Sequence, residues 1–476
     1  MQIKSMFLLG TSLVAGLGAG LTGCGDDKGN PGPDGGGGRT GEFTTNSCTG
    51  VTGTCKQLQS GDDSELQTLA NSVADNTTIV LSTGTFKMSN QLTIRNKGIH
   101  LIGQGMDKTT LDFGKTTTQG NGVDVAQGDG FLIQDLKVLD APKDGIRVEN
   151  TNGVVFRRIY ATWTTPSQPT NGAYGIYPVH SQNVLVENSK GENASDSGLY
   201  VGQCQHVVVR NNTVMGNVAG LEIENTEYAD VYGNTATDNT GGIVVFDLPG
   251  NPIIGRDIRV HDNMIIANNH ENFSAGGTVA SIPVGTGTFA MASRRVEITN
   301  NTYQNNHTGD IALVSGLTLE PNMAAWALDP ATIVGDYTDL NLPTDGNGKI
   351  LNFQGGNIVV AGNHHSGSGT MPAPADPLHI GLLLTIIYKG APVDSVLYDT
   401  IGETKFDSTD PAKNSNNNHM CVGGNTEGTF ASMDILENAK NPATPFFRPA
   451  APFAPFDCTA IAGNPIAPVT LPTTLP

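Results

Sequence analysis

Gly198-Leu-Tyr-Val201, Gly220-Leu-Glu-Ile223 and Gly242-Ile-Val-Val245 repeat one phrase: a glycine, an aliphatic residue, a variable residue, a second aliphatic. The phrase also stands at Gly122-Val-Asp-Val125, at Gly145-Ile-Arg-Val148 and, with Pro178 ahead of Val179, at Gly175-Ile-Tyr177. From Gly122 to Gly242 the steps are 23, 30, 23, 22 and 22 residues. A fixed period in that range marks a solenoid, whose repeats bury their apolar faces only against one another.

A second phrase interleaves with the first: an alternating apolar strand ending in asparagine. It reads Val207-Val-Val-Arg-Asn-Asn212, Ala229-Asp-Val-Tyr-Gly-Asn234, Ile258-Arg-Val-His-Asp-Asn263, Val296-Glu-Ile-Thr-Asn-Asn301 and Ile358-Val-Val-Ala-Gly-Asn363. Asn217, Asn239, Asn268 and Asn306 each follow five residues on. Apolar residues at every second position turn one face of a strand inward. Asparagine tolerates the left-handed backbone of a sharp corner, and asparagines at one corner of successive coils can stack their amides. Short strands and corner asparagines within about 22 residues describe one turn of a parallel β-helix.

On these phrases, over roughly residues 79–365, the chain resembles the bacterial right-handed parallel β-helix repeat proteins of the pectate-lyase-like superfamily. The resemblance implies an all-β solenoid with an N-terminal helical cap and an irregular C-terminal cover. It implies no single activity, because that superfamily includes lyases, hydrolases, epimerases and proteins without settled chemistry.

Composition fits a thin coil with many corners: 37% hydrophobic residues and 60 glycines in 476 residues. Twenty-six basic against 45 acidic residues give a net charge of −19, which argues against a nucleic-acid partner. An acidic polysaccharide would be repelled unless a cation or a local basic patch received it.

Residues 1–24 read as a signal segment: Lys4, an apolar run from Met6 to Leu21, then Leu21-Thr22-Gly23-Cys24. That last box resembles the bacterial lipoprotein cleavage site, which implies lipidation of Cys24 and a membrane anchor in the cell envelope. Gly25 in place of aspartate points to the outer membrane if the host is Gram-negative. Residues 25–47 read as a flexible tether and 48–78 as an N-terminal cap, with a helix from Asp62 to Asp75. The β-helix spans 79–370 and a C-terminal cover 371–476. Cys48 pairs with Cys55 and Cys421 with Cys458, leaving Cys204 as a small buried residue.

Insertions at 163–173, 248–257 and 270–285 flank the glycine-led strands and would wall their outer face. The variable residues should form an outward column: Asp124, Arg147, Tyr177, Tyr200, Glu222, Val244. Asp144, Trp163, Tyr174, His180 and Asp196 adjoin it. Aromatic rings there suit sugar rings and the carboxylates suit hydroxyls, although the tyrosines could equally pack against an overhanging loop. Tyr174-Gly-Ile-Tyr177-Pro-Val-His180 resembles the catalytic region of mannuronan epimerases and alginate lyases, but without the contiguous Asp-Pro-His of that family. The resemblance implies His180 as the family's histidine, Tyr174 or Tyr177 as its tyrosine and Asp196 as its second acid; with Tyr200 from the column, the catalytic candidates are Tyr177, His180, Asp196 and Tyr200. Asp124, Asp144, Arg147, Trp163, Tyr174 and Glu222 then contact substrate. Such chemistry would be proton abstraction beside a carboxylate, with a neutral His180 or an ionised tyrosine as base. No spacing demands a metal, although Asp124, Asp144, Asp196 and Glu222 could serve calcium in a polyuronate complex. The leading expectation is an envelope-anchored β-helix that binds a glycan or an envelope protein without catalysis. The alternative is a polysaccharide lyase or C-5 epimerase acting on uronates.

Overall fold

The computed structural model describes residues 46–116, 118–400, 415–442, 448–449, 453, 455–458 and 465–476. The signal segment, the lipidation box with Cys24 and residues 25–45 of the tether lie outside them.

The glycine-led strands form one parallel sheet of 11 strands, which we call the front. Its register aligns every repeat: Val123 opposite Ile146, Ile146 opposite Ile176, Leu199 opposite Leu221, Leu221 opposite Ile243. The asparagine-ending strands form a side face, and three-residue strands such as Thr213–Met215 and Thr235–Thr237 form a base. Side and base join into a single 20-stranded sheet. Aliphatic residues from all three faces meet inside, among them Ile176, Leu199, Val209, Val214, Leu221 and Ile243, each at most 1% exposed.

The repeating glycine is needed for space. A Cβ on Gly122, Gly145, Gly220 or Gly242 would stand 2.4–2.6 Å from the carbonyl oxygen of the equivalent glycine one coil on. Such contacts are too short for any side chain, so the corner excludes everything larger.

Asparagine divides its two expected roles between neighbours. Asn211, Gly233, Asp262, Asn300 and Gly362 take the positive φ at the corner. The residue after each, Asn212, Asn234, Asn263, Asn301 or Asn363, turns inward and passes an Nδ2–H to the next asparagine's Oδ1 at 2.9–3.0 Å. A second ladder runs Asn217–Asn239–Asn268–Asn306 at 2.9–3.2 Å. These amides replace water inside the coil, where an unpaired one would be costly.

The cap helix spans Asp63–Ser72 and buries Leu66 and Ala70, with Gln67 donating to the Gln91 carbonyl. Pairing begins before it, because Thr54–Leu58 lies parallel to Thr77–Leu81. The coil also continues beyond residue 370. Val396–Asp399 and Phe430–Met433 extend the front, and Cys421–Gly423 extends the side face. The C-terminal segment is thus part coil and part cover. It was masked in sequence by the helix Ile380–Tyr388, which interrupts the period. Disulfides join Cys48 to Cys55 and Cys421 to Cys458. Cys204 is buried and free. It sits in a column of hydroxyls, its Sγ accepting from the Ser181 amide and its own amide donating to Thr226 Oγ1.

Candidate functional site

The front sheet places the variable residues in one outward column. Asp124 faces Arg147, Arg147 faces Tyr177, and Tyr200 faces Glu222, which faces Val244. Adjacent strands stand about 4.8 Å apart, so these side chains touch in sequence. Tyr174, Tyr177 and Tyr200 close into a cluster with ring centroids 4.5, 4.6 and 4.9 Å apart. Tyr200 lies along its own strand over Gly202, where a Cβ would meet its hydroxyl at 2.2 Å. That position therefore needs glycine. From there the Tyr200 hydroxyl donates to Glu224.

Four carboxyl groups surround the rings. Asp196 and Glu222 are hydrogen-bonded to each other, and Asp196 also accepts from the Tyr174 hydroxyl. Burial raises Asp196 to about 7 and Asp144 to about 6. Glu222, 1% exposed, rises further because the charge of Asp196 adds to its burial. Two carboxyls in contact disfavour double ionisation, so the pair holds a proton more readily than either acid would alone. Both Asp144 oxygens, Asp196 Oδ1 and Glu222 Oε1 are buried without a hydrogen-bond partner. Burial also pushes all three tyrosines upward, so none supplies a phenolate near neutral pH.

A charged strip borders the rings. Arg95 pairs with Asp124 at 2.5 Å, Arg147 with Asp124 at 3.4 Å and with Glu149 at 2.6 Å. His180, 43% exposed, stands at the next corner with Nδ1 3.6 Å from Glu149 Oε1 and Nε2 against the Gln203 side chain. Glu149 raises the His180 pKa and favours the imidazolium. The neutral base that proton abstraction would require is therefore disfavoured at this histidine.

The walls differ from expectation in one respect. Trp163 does not overhang the column: it is 6% exposed and its Nε1–H donates to the Ala141 carbonyl. Its loop is fixed along the corner beneath, with Ser167 bonded to the Gly216 carbonyl and Asn171 to that of Asn193. The middle of the column is approached instead from 270–285, where a Cβ on Gly277 would lie 3.9 Å from Asp196 Oδ2. Asn251 from the 248–257 insertion donates to Glu224 and Asn225. Glu149 and Glu224 were missed in sequence. Each lies two residues past a variable position and so points the same way, a signal that strand alternation carries.

The family described as right handed beta helix region matches residues 98–258 and 170–322. This chain is a right-handed parallel β-helix protein. No curated protein matches it in sequence. Among solved structures it is similar to the mannuronan C-5 epimerase AlgE4 A-module of Azotobacter vinelandii, at 13% identity and TM-score 0.42, over 77% of this chain and 91% of that one. An alginate lyase from Paenibacillus sp. str. FPU-7 is similar at 17% identity and TM-score 0.40, over 66% and 95% of the two chains. A polygalacturonase from Erwinia carotovora ssp. carotovora is similar at 9% identity and TM-score 0.43, over 66% and 92%.

The front of this β-helix thus carries a cluster of tilted and edge-to-face tyrosine rings bordered by buried carboxyl groups. Among the described residues, no three His, Cys, Asp or Glu side chains are grouped to hold a metal ion.

Proposed function

We propose that the front face from Asp124 to Glu222 binds a glycan without covalent chemistry, on a protein held at the cell envelope, at the outer membrane of a Gram-negative host, by a lipid on Cys24. One observation carries the binding reading: the Tyr174–Tyr177–Tyr200 cluster beside buried carboxyl oxygens that no protein group satisfies. Buried polar atoms are ordinarily paired, so unpaired carboxyl oxygens beneath the rings mark a surface not optimised for stability alone. Tyrosine rings accept the C–H face of a pyranose and keep a polar edge for its hydroxyls. A neutral glycan suits the face better than a polyuronate, since the chain carries −19 and the ring cluster is flanked by acids. The test is retention in affinity gels cast with neutral glycans, alginate or pectate. Tyr177→Ala is expected to weaken retention about tenfold, the loss of one stacked ring. If no glycan is retained by the wild-type protein, an envelope protein becomes the better partner.

A lyase or C-5 epimerase acting on uronates is the second reading. It is favoured by Arg147, which faces Tyr177 on the next strand and could neutralise a uronate carboxylate. Unsaturated product from alginate or pectate for a lyase, or a changed ratio of C-5 epimers in the intact polymer for an epimerase, lost in Tyr177→Phe or His180→Ala, would establish it and displace the first reading. For the anchor, Cys24→Ala is expected to shift the protein from the detergent phase to the aqueous phase. Unchanged partition would refute lipidation at that residue.

A further inference from the structure

Past Glu222 the outward column changes character. Val244, Phe289, Ala312 and Leu397 stand opposite one another on four successive front strands, so the row continues without a polar side chain. Three strand spacings of about 4.8 Å make this row roughly 14 Å long. Val244 is covered, whereas Phe289, Ala312 and Leu397 remain partly exposed. Ile282 from the 270–285 insertion walls one side and Leu384 from the helix Ile380–Tyr388 the other. Between them lies an apolar pocket open to solvent. Among the described residues, the one charged residue in its lining is Asp399. Its oxygens are already engaged by the Ser315 amide, the Thr318 hydroxyl and the Ile435 amide. Among the described residues nothing here is placed to hold a charged group, and a compact ring would leave much of a row this long unfilled.

We propose that this slot binds the aliphatic chain of an acylated molecule, at a site separate from the tyrosine cluster. Burying methylene groups against carbon walls supplies the affinity, and a polar head would remain at the mouth. The proposal does not depend on the glycan reading.

The test uses the purified full chain and cis-parinaric acid, a fatty acid that fluoresces when its chain leaves water. Saturable emission is expected, displaced equally by lauric acid and by the uncharged dodecanol. Ala312→Trp fills the slot and is expected to weaken binding at least about tenfold with an unchanged melting temperature. Leu397→Phe, a smaller intrusion, keeps the question answerable if the tryptophan variant fails to fold. Tyr177→Ala is expected to leave emission unchanged while glycan retention falls, which separates this site from the other. Emission that does not saturate, displacement by lauric acid alone, or affinity unaltered in a folded Ala312 or Leu397 variant would overturn the proposal.

Discussion

The two halves of the front sheet have the same backbone and opposite surfaces. From Asp124 to Glu222 the outward row is charged or phenolic, and from Val244 to Leu397 it is apolar. Both rest on one aliphatic core, and both follow coils whose asparagine ladders run unbroken beneath the boundary, from Asn217 to Asn306. The scaffold therefore does not dictate what the outer face carries. In the second half Val244 and, in part, Phe289 pack into a cluster with Val279, Ile282, Met291 and Trp326, while Ala312 and Leu397 stay partly exposed, and burying such apolar surface stabilises the coil. In the first half, carboxyls without partners are buried where an apolar residue would serve the fold better. Retaining destabilising groups on an otherwise consistent scaffold is the usual mark of a functional surface.

Exchanging chemistry across the boundary gives the largest expected effect. Val244 and Glu222 face each other on adjacent strands, 2% and 1% exposed. Val244→Glu puts a carboxyl among Phe246, Phe289 and Met291, and should cost on the order of 3–5 kcal/mol in urea unfolding. Glu222→Val removes a buried acid and should leave stability unchanged or higher, while glycan retention falls. Equal losses from the two exchanges would mean that Glu222 is a structural residue and that the contrast between the halves has no functional content.

The solenoid was legible because its determinants are periodic: glycine where a Cβ would strike the next coil, apolar residues at every second position, paired corner and ladder residues. The outward column followed from the same alternation. The extra coil after residue 370 was not legible, because Val396–Asp399 and Phe430–Met433 lack the leading glycine and are separated from the last regular strand by a helix. Trp163 misled for a related reason. Its position in an insertion says that it leaves the coil, but only packing shows its indole N–H spent on Ala141. The carboxyl pair was hidden differently. Asp196 precedes its glycine-led strand and Glu222 lies within the next, so their contact depends on the stagger of two coils.

Asp144 offers a smaller and sharper measure of how the halves differ. Both its oxygens are buried without partners, and burial lifts it from 3.8 to about 6 against the opposing charges of Lys143 and Arg147. A carboxyl whose folded value is raised favours the native state while protonated, below its unfolded value near 4. That contribution disappears as pH rises through about 6, where the native state must also ionise it. The loss amounts to about 3 kcal/mol. Asp144→Asn should therefore match the wild type in urea near pH 4 and exceed it by about that amount at pH 8. Alanine at Ala312's neighbour Phe289, in the apolar half, should lower stability by the same amount at both pH values. A difference between Asp144→Asn and wild type that does not change with pH would show the Asp144 carboxyl to be solvated, and would remove it from the site.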